Sequence, residues 1–229
     1  MRYEILTLFP DMLESYFGTS IIGRARRKGL FTLNVTDIRA YTLDRQGRVD
    51  DAPYGGGFGL VMTCQPVVDC IRAVKAGLTG TVRTVYISPQ GALYDQSKAR
   101  ELLGYDNLIL LCGHYEGIDE RIIELEIDEE ISVGNYVLTG GEIGAEIIVD
   151  STARMIDGVL SDPECYLGES LSDGLLEYPQ YTRPRVFEGK EVPEVLLSGN
   201  HAAIKQWQYE QSVERTRRKR PDLIGDENK

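Results

Sequence analysis

The sequence is short of the residues that build metal and redox centres. It holds four cysteines, Cys64, Cys70, Cys112 and Cys165, and no two form a C-x-x-C pair. Three of the four sit in apolar surroundings, so buried free thiols in a reducing compartment are expected rather than a disulfide framework or a zinc site. His114 and His201 are the sole histidines, and no H-E-x-x-H occurs, so no metal centre is expected. No apolar run approaches the length of a membrane span. Met1-Arg2-Tyr3-Glu4-Ile5 places charge inside a short apolar run, which is unlike a signal peptide. A cytoplasmic protein without membrane association is the expectation. Phosphate-binding signatures are missing too. Gly189-Lys190 is followed by Glu191 rather than by a P-loop hydroxyl, and the first strand–helix turn carries no G-x-G-x-x-G. Positive charge is scarce: 25 Lys and Arg face 36 Asp and Glu, a net charge of −11. The total argues against a polyanionic partner unless the basic residues are gathered locally.

What is present is an ordinary globular composition in 229 residues, 42% hydrophobic and 27% charged, enough for one large domain or one with an appendage. Tyr3–Leu8 alternates and is rich in β-formers, predicting a strand. Pro10 suits a first helical position, predicting a helix to Phe17. Ser20 is read as the cap of a second helix that stops at Gly29. Phe31–Ile38 reads as a strand with Phe31, Leu33 and Val35 on one face. A polar segment, Asp44–Asp51, and a glycine-rich one, Pro53–Gly59, come next. A helix from Pro66 to about Ala76, a strand from Thr81 to Ile87 and a helix capped by Asp95 follow. Strands Leu108–Cys112 and Ile131–Val133 come after that. A helix from Glu142 to about Ile156 is expected to turn Ile143, Ile147 and Ile148 inward. Alternating strands and helices predict an α/β fold, a mostly parallel sheet with helices on both faces. Residues 1–160 form that domain. Residues 161–190 are polar, acidic and broken by proline and glycine, a flexible linker. Residues 191–229 form a small all-helical domain: a short helix from Pro193, then a longer one capped by Asn200 with Ala203, Ile204 and Trp207 at core-like spacing.

Three predicted strands end in glycine-containing loops: Ser88-Pro89-Gln90-Gly91, Gly113-His114-Tyr115-Glu116-Gly117 and Gly134-Asn135-Tyr136-Val137-Leu138-Thr139-Gly140-Gly141. Ligands of open α/β sheets bind outside the carboxyl ends of strands, so three such loops on one edge read as one small-molecule site. None of the loops carries Lys or Arg, and Arg121 is the first basic residue after the second of them. Backbone amides, Tyr115, Tyr136 and Glu116 suit a neutral or cationic ligand, such as an adenosyl sulfonium, better than a triphosphate. Two basic clusters offset the net charge. Arg24, Arg26, Arg27 and Lys28 read equally as a solvated helix face or an anion site. Arg215, Arg217, Arg218, Lys219 and Arg220 are denser and lean towards an anionic partner.

Five motifs carry a resemblance. They are Asp50-Asp51-Ala52-Pro53-Tyr54-Gly55-Gly56-Gly57; Cys112 to Arg121; Tyr136-Val137-Leu138-Thr139-Gly140-Gly141-Glu142; Asp173-Gly174-Leu175-Leu176 with Pro179-Gln180-Tyr181-Thr182-Arg183-Pro184; and Leu197-Ser198-Gly199-Asn200-His201. Over Tyr3 to about Leu223 the chain resembles the bacterial tRNA (guanine-N1)-methyltransferases, the TrmD family. The resemblance implies the SPOUT class, with a trefoil knot towards the C-terminal part of the α/β domain. It implies a homodimer with the active site at the subunit interface, S-adenosylmethionine as cofactor and tRNA as partner. The reaction it implies is methylation of guanine N1 at nucleotide 37, next to the anticodon. Carried over by motif, cofactor-binding residues are Tyr86, Ile87, Ser88, Pro89 and Gln90; Gly113, Tyr115, Glu116 and Gly117; Val133, Gly134, Asn135, Tyr136, Val137 and Leu138; and Gly140 and Gly141. The family's base matches Asp173, which would take the N1 proton. Its guanine-stabilising arginine matches Arg154, which would meet charge developing on O6. Without the resemblance, Asp173 reads as a surface acid or cap and Arg154 as a helix-surface ion pair. Glu116 reads as a cofactor or substrate neighbour, or as a hydrogen-bond partner of its own loop. His114 reads as structural, Asp162 and Glu164 as solvated, and Ser198–His201 as a helix cap before a tRNA contact. The chain departs from the family at Asn135, where Asp is usual, and at Gly144 and Asp157, where proline is. Gly144 is expected to loosen the start of its helix.

Overall fold

The computed structural model describes residues 1–162, 166 and 168–224; Glu164 and Cys165, named above, lie outside them. The chain divides into two compact units, Met1–Ser161 and Asp162–Lys229.

Apolar runs that are buried on both faces make the centre of a parallel sheet, and the run Leu108–Cys112 does so here. Strand β6, Asn107–Cys112, is buried at every residue. It pairs in parallel with β1, Arg2–Thr7, on one side and β5, Val82–Leu93, on the other. With β2, Thr32–Asp37, and β7, Glu129–Ser132, the sheet order is β2-β1-β6-β5-β7, all parallel. Period-two alternation sends successive residues to opposite faces. Leu108, Leu110 and Cys112 join Tyr3, Ile5, Val85 and Ile87 in a core covered by α1, Pro10–Phe17, α2, Ser20–Arg27, α4, Gln96–Leu102, and α6, Glu142–Ala153. Ile109 and Leu111 join Leu6 and Tyr86 in a second core under α3, Cys64–Ala76, and α5, Glu120–Glu126. Helices therefore cover both faces. Among the described residues no helix is long and apolar enough to cross a membrane.

Where the expected strand stops at Ile87, β5 makes an excursion instead. Ile87 and Ala92 both pair with Ile131, so Ser88–Gly91 is pushed out as a loop and the chain returns to β7. Gly91 is required there, since a Cβ would lie 2.3 Å from the Glu130 carbonyl carbon. The glycine-rich Pro53–Gly59 is carried by a short antiparallel pair, β3, Asp50–Asp51, and β4, Val61–Met62.

Helix α6 corrects two expectations. Ile148 is fully buried, but Ile143 and Ile147 are 49% and 37% exposed. The inward stripe is Gly144, Ala145, Ile148, Val149 and Thr152. Small residues face the sheet because the helix lies close to it, and counting apolar side chains mistakes the opposite stripe for the core. Gly144 lies in the first turn of α6, which runs from Glu142. It is buried, and a Cβ on it would stand 2.6 Å from Cγ2 of Ile87, so its lack of a side chain lets α6 press against β5.

The second unit is not purely helical. A hairpin of β8, Val186–Phe187, and β9, Lys190–Glu191, lies where no strand is expected. Its turn residues Glu188 and Gly189 have φ of 48° and 75°, a turn whose usual sequence signal is Asn-Gly; Glu-Gly conceals it. The helix Glu194–Leu197 follows, then His201–Lys219, where Asn200 Oδ1 accepts from the Ala203 amide at 3.2 Å. Ala203, Ile204 and Trp207 are only half-buried, whereas Ser212 and Thr216 are buried. Thr216 Oγ1 accepts from the Leu176 amide at 2.8 Å, which ties the 170s to this helix.

Candidate active site

The strands β5, β6 and β7 bring the three predicted loops to one sheet edge. Together they line a cavity of about 240 Å³, a little below the usual range of small-molecule sites, roughly 300–1,000 Å³. Every residue expected to bind cofactor lines it except Asn135. Asn135 is exposed because the Tyr136 amide turns back onto the Gly134 carbonyl, 2.9 Å, and the Tyr136 hydroxyl donates to the Val133 carbonyl, 3.0 Å. Sequence reasoning missed His114, Ile118, Glu120, Ile123, Glu130, Ser132 and Thr139, which also line the cavity. Glu130 stands opposite Tyr86 in the β5–β7 register, a long-range pairing with no local sequence signal.

The glycines of this site make room for particular groups. Tyr86 is 7% exposed, and a Cβ on Gly113 would lie 2.8 Å from its ring. Burial, and then the charge of Glu130, push the Tyr86 hydroxyl up to about 12. At neutral pH it is a fixed hydrogen-bond donor. The Gly141 amide donates to the Gly113 carbonyl at 3.1 Å, and a Cβ on Gly141 would lie 2.7 Å from the Cys112 Cα. The second and third loops thus touch backbone to backbone. Tyr115 is held at φ 60°, a left-handed conformation that costs a tyrosine roughly 1 kcal/mol or more and persists only where its surroundings impose it. The second loop is clasped from outside, since the Glu116 amide donates to Leu60 O and the Met62 amide to Gly117 O, each at 3.0 Å.

Beneath the loops is a polar knot of side chains. Glu142, 2% exposed, opens α6, where a helix N-terminus favours a carboxylate. His114 Nε2 donates to its two oxygens, 2.8 and 2.9 Å. The Thr7 hydroxyl at the end of β1 donates to Glu142 Oε1, 2.5 Å, and accepts from the Phe9 amide, 2.9 Å. The His114 ring packs on Phe9 with centroids 4.7 Å apart. Burial, then the Glu142 charge, raise the Glu146 carboxyl above its ordinary value. Cys112 is fully buried; that burial, then Glu142 and Glu146, push its thiol well up, so it is not a nucleophile.

The two expected catalytic residues lie on different units. Arg154 ends α6, its amide bonded to the Asp150 carbonyl at 3.2 Å, and it is not among the cavity-lining residues. Asp173 is exposed in the second unit. Its Oδ1 accepts from the Leu175 amide at 3.2 Å in a turn closed by Leu171 N to Leu175 O, 2.8 Å. Of the late basic cluster, Arg220 is paired with Asp222 through bonds of 2.7 to 3.1 Å, while Arg217, Arg218 and Lys219 are exposed.

The cavity wall combines backbone amides, three tyrosines and the carboxylates of Glu116, Glu120 and Glu130, with no Lys or Arg among its lining residues. That donor set fits a cationic organic ligand and repels a phosphate-rich one. Known proteins point the same way. The profile of the tRNA (Guanine-1)-methyltransferase TrmD family matches residues 1–226. The tRNA (guanine-N(1)-)-methyltransferase of Ruminiclostridium cellulolyticum is 54% identical over 224 residues, 98% of this chain and 96% of the relative. The enzymes of the same name from Clostridium botulinum and Lachnospira eligens are 54% and 49% identical, covering 98% and 97% of this chain and 92% and 94% of those relatives. With the sequence matched from end to end and a cavity of fitting chemistry at the strand ends, this chain belongs to the tRNA (guanine-1)-methyltransferase family.

Proposed function

We propose that this protein methylates N1 of guanine at nucleotide 37 of tRNA, using S-adenosylmethionine. The observation that carries the proposal is the cavity: three glycine loops, three tyrosines and three carboxylates without a Lys or Arg. A sulfonium cofactor would lie among Tyr86–Gln90, Gly113–Gly117, Val133–Leu138 and Gly140–Gly141, and would supply an electrophilic methyl group. The residues do the remaining work. Backbone amides and tyrosines fix the adenosyl part, and the carboxylates favour the positive charge. Methyl transfer is an in-line displacement, so positioning supplies much of the rate. Guanine N1 is a poor nucleophile until its proton leaves. Asp173 takes that proton, and Arg154 meets the charge that then develops on guanine O6.

The working enzyme is a homodimer in which Asp173 serves the cofactor site of the partner. The exposed apolar residues Phe9, Met12, Tyr16, Ile143 and Ile147 support such a pairing, since clustered exposed apolar surface marks an interface. Contact of Gly141 with Cys112 and Gly113, and the excursion of β5 between its two pairings with Ile131, support a chain threaded as a trefoil knot. The exposed cations of the late basic cluster would neutralise tRNA phosphates and make binding salt-dependent. A protein with these partners works in the cytoplasm.

Labelled S-adenosylmethionine and tRNA transcripts bearing guanosine or adenosine at nucleotide 37 test the reading. Methyl transfer to the guanosine transcript alone is expected. Asp173→Asn should abolish turnover and leave cofactor affinity nearly intact. Transfer to neither transcript would overturn the proposal, and a large loss of cofactor binding in Asp173→Asn would reassign that residue.

A further inference from the structure

The excursion Pro53–Gly59 has no part in the chemistry above, yet it is built to a definite shape. Gly55, Gly56, Gly57 and Gly59 have φ of 86°, 78°, 135° and 83°, values that other residues rarely adopt. Its end is fixed to the cavity wall by the Leu60 and Met62 backbone bonds to Glu116 and Gly117, and by the Asp119 amide donating to Met62 O at 3.0 Å. Gly59 lies against the Glu116 side chain, where a Cβ would come within 2.5 Å. From this anchored loop project Tyr54 and Phe58, 101% and 99% exposed. No other large apolar side chain among the described residues is as exposed; the next, Val137, is at 83%.

Each such ring presents roughly 150–250 Å² of mostly apolar surface, and holding two of them in water beside a cavity needs a reason. Charge restricts what they meet. The cavity lining includes Glu116, Glu120 and Glu130 and no Lys or Arg, and the nearby Arg121 is bonded to Asp119 at 2.7 and 2.8 Å. A polyanion cannot be gripped at this mouth through its phosphates. Aromatic rings grip single-stranded nucleic acid through the π faces of its bases, which carry no net charge. An enzyme that modifies a base in a strand takes that base out of its stack and leaves its neighbours without partners.

We propose that Tyr54 and Phe58 form a stacking clamp for the unpaired nucleobases flanking the target guanine. The proposal rests on RNA being the substrate. The test measures methyl-transfer kinetics on intact transcripts and on transcripts made abasic on either side of the target, with cofactor affinity by calorimetry and oligomeric state by sedimentation. Tyr54→Ala and Phe58→Ala should each raise KM for the intact transcript about tenfold, the size of one lost stacking contact, with cofactor affinity and oligomeric state unchanged. Phe58→Leu, apolar but without a π face, should behave like Phe58→Ala, and Phe58→Trp like the unaltered enzyme. On the abasic transcript the alanine variants should add no further loss. An unchanged KM on the intact transcript, an equal loss on intact and abasic transcripts, or a change in oligomeric state would each overturn the clamp; the last would assign the rings to a second copy of the chain. Failure of the RNA reading looks different, because the unaltered enzyme would then transfer methyl to no transcript and both proposals would fall together.

Discussion

At the scale of single residues, the site depends on what Gly140 leaves empty. A Cβ there would stand 2.3 Å from His114 Cε1 and 2.5 Å from Glu142 Oε2. The Thr7–Glu142–His114 bridge therefore occupies the space that a side chain would take, and it joins β1, the second loop and α6 beneath the cavity. A buried carboxylate with two donors, one of them shared between its oxygens, fixes its neighbours' orientation and is costly to leave half-satisfied. Glu142→Ala should cost about 1–3 kcal/mol in stability from the orphaned His114 and Thr7 donors. If the bridge positions the loops, it should also weaken cofactor binding by about tenfold or more, while Glu142→Gln, which still accepts both bonds, retains most of the affinity. Gly140→Ala should resemble Glu142→Ala. Calorimetric cofactor titration beside a thermal melt separates the roles: a lower melting temperature with unchanged affinity would make the bridge a fold element only. The glycines of this site were legible in sequence because a glycine cluster after a strand marks a tight turn or a close backbone approach. Glu142 was not, because its partners are 28 and 135 positions away and nothing local marks it as buried.

At the scale of elements, charge pairs fasten the helices to one another and to the sheet edge. Glu126, at the end of α5 and 9% exposed, accepts from Arg72 Nε at 2.6 Å and Lys75 Nζ at 3.0 Å, both on α3. Burial pushes its carboxyl up, but the bonds from Arg72 and Lys75 more than offset this and hold it below the ordinary glutamate value. Glu129 on β7 is likewise lowered against burial by Arg83 on β5 and Lys98 on α4. A carboxyl whose folded value is depressed contributes stability that is present above its unfolded value, about 4.3, and lost as pH falls through the folded one. Glu126→Gln should therefore lose roughly 2 kcal/mol at neutral pH, an amount tempered by the exposure of Arg72 to solvent. Its deficit relative to the unaltered protein should shrink as pH drops below about 4. Denaturant melts of both proteins at pH 7 and at lower pH measure this; a deficit that is constant with pH would assign the loss to packing. Element identity followed readily from period-two and period-3.6 patterns. Which face of α6 is buried did not, because Ile143 and Ile147 satisfy the same spacing as the small residues that meet the sheet. The β8–β9 hairpin escaped for a similar reason, its turn being written as Glu-Gly.

At the scale of the whole molecule, alternation of strand and helix predicts a parallel sheet, but strand order is set by long-range pairing that no local pattern encodes. Threading of the chain is less legible still, since general rules disfavour knots and the resemblance alone raises one. The proposed pairing of subunits rests on surface chemistry. Phe9, Met12 and Tyr16, with Ile143 and Ile147 of α6, are all more than a third exposed, and the Tyr16 hydroxyl donates to Asp150 at 2.7 Å, which ties α1 to α6. If that surface is covered by a second copy, Ile147→Glu should leave a folded monomer in sedimentation, with cofactor affinity and turnover both reduced. A shared site makes a sharper demand. Mixing Asp173→Asn subunits with Gly140→Ala subunits, assayed at a cofactor concentration too low to fill the weakened Gly140→Ala site, puts one intact base opposite one intact cofactor site in every heterodimer. Random pairing makes half of the dimers mixed, each with one working site of two, so activity should recover to about a quarter of the unaltered enzyme. Recovery requires the base and the cofactor to come from different chains. A mixture that demonstrably forms heterodimers yet stays inactive would place Asp173 and its cofactor in the same subunit.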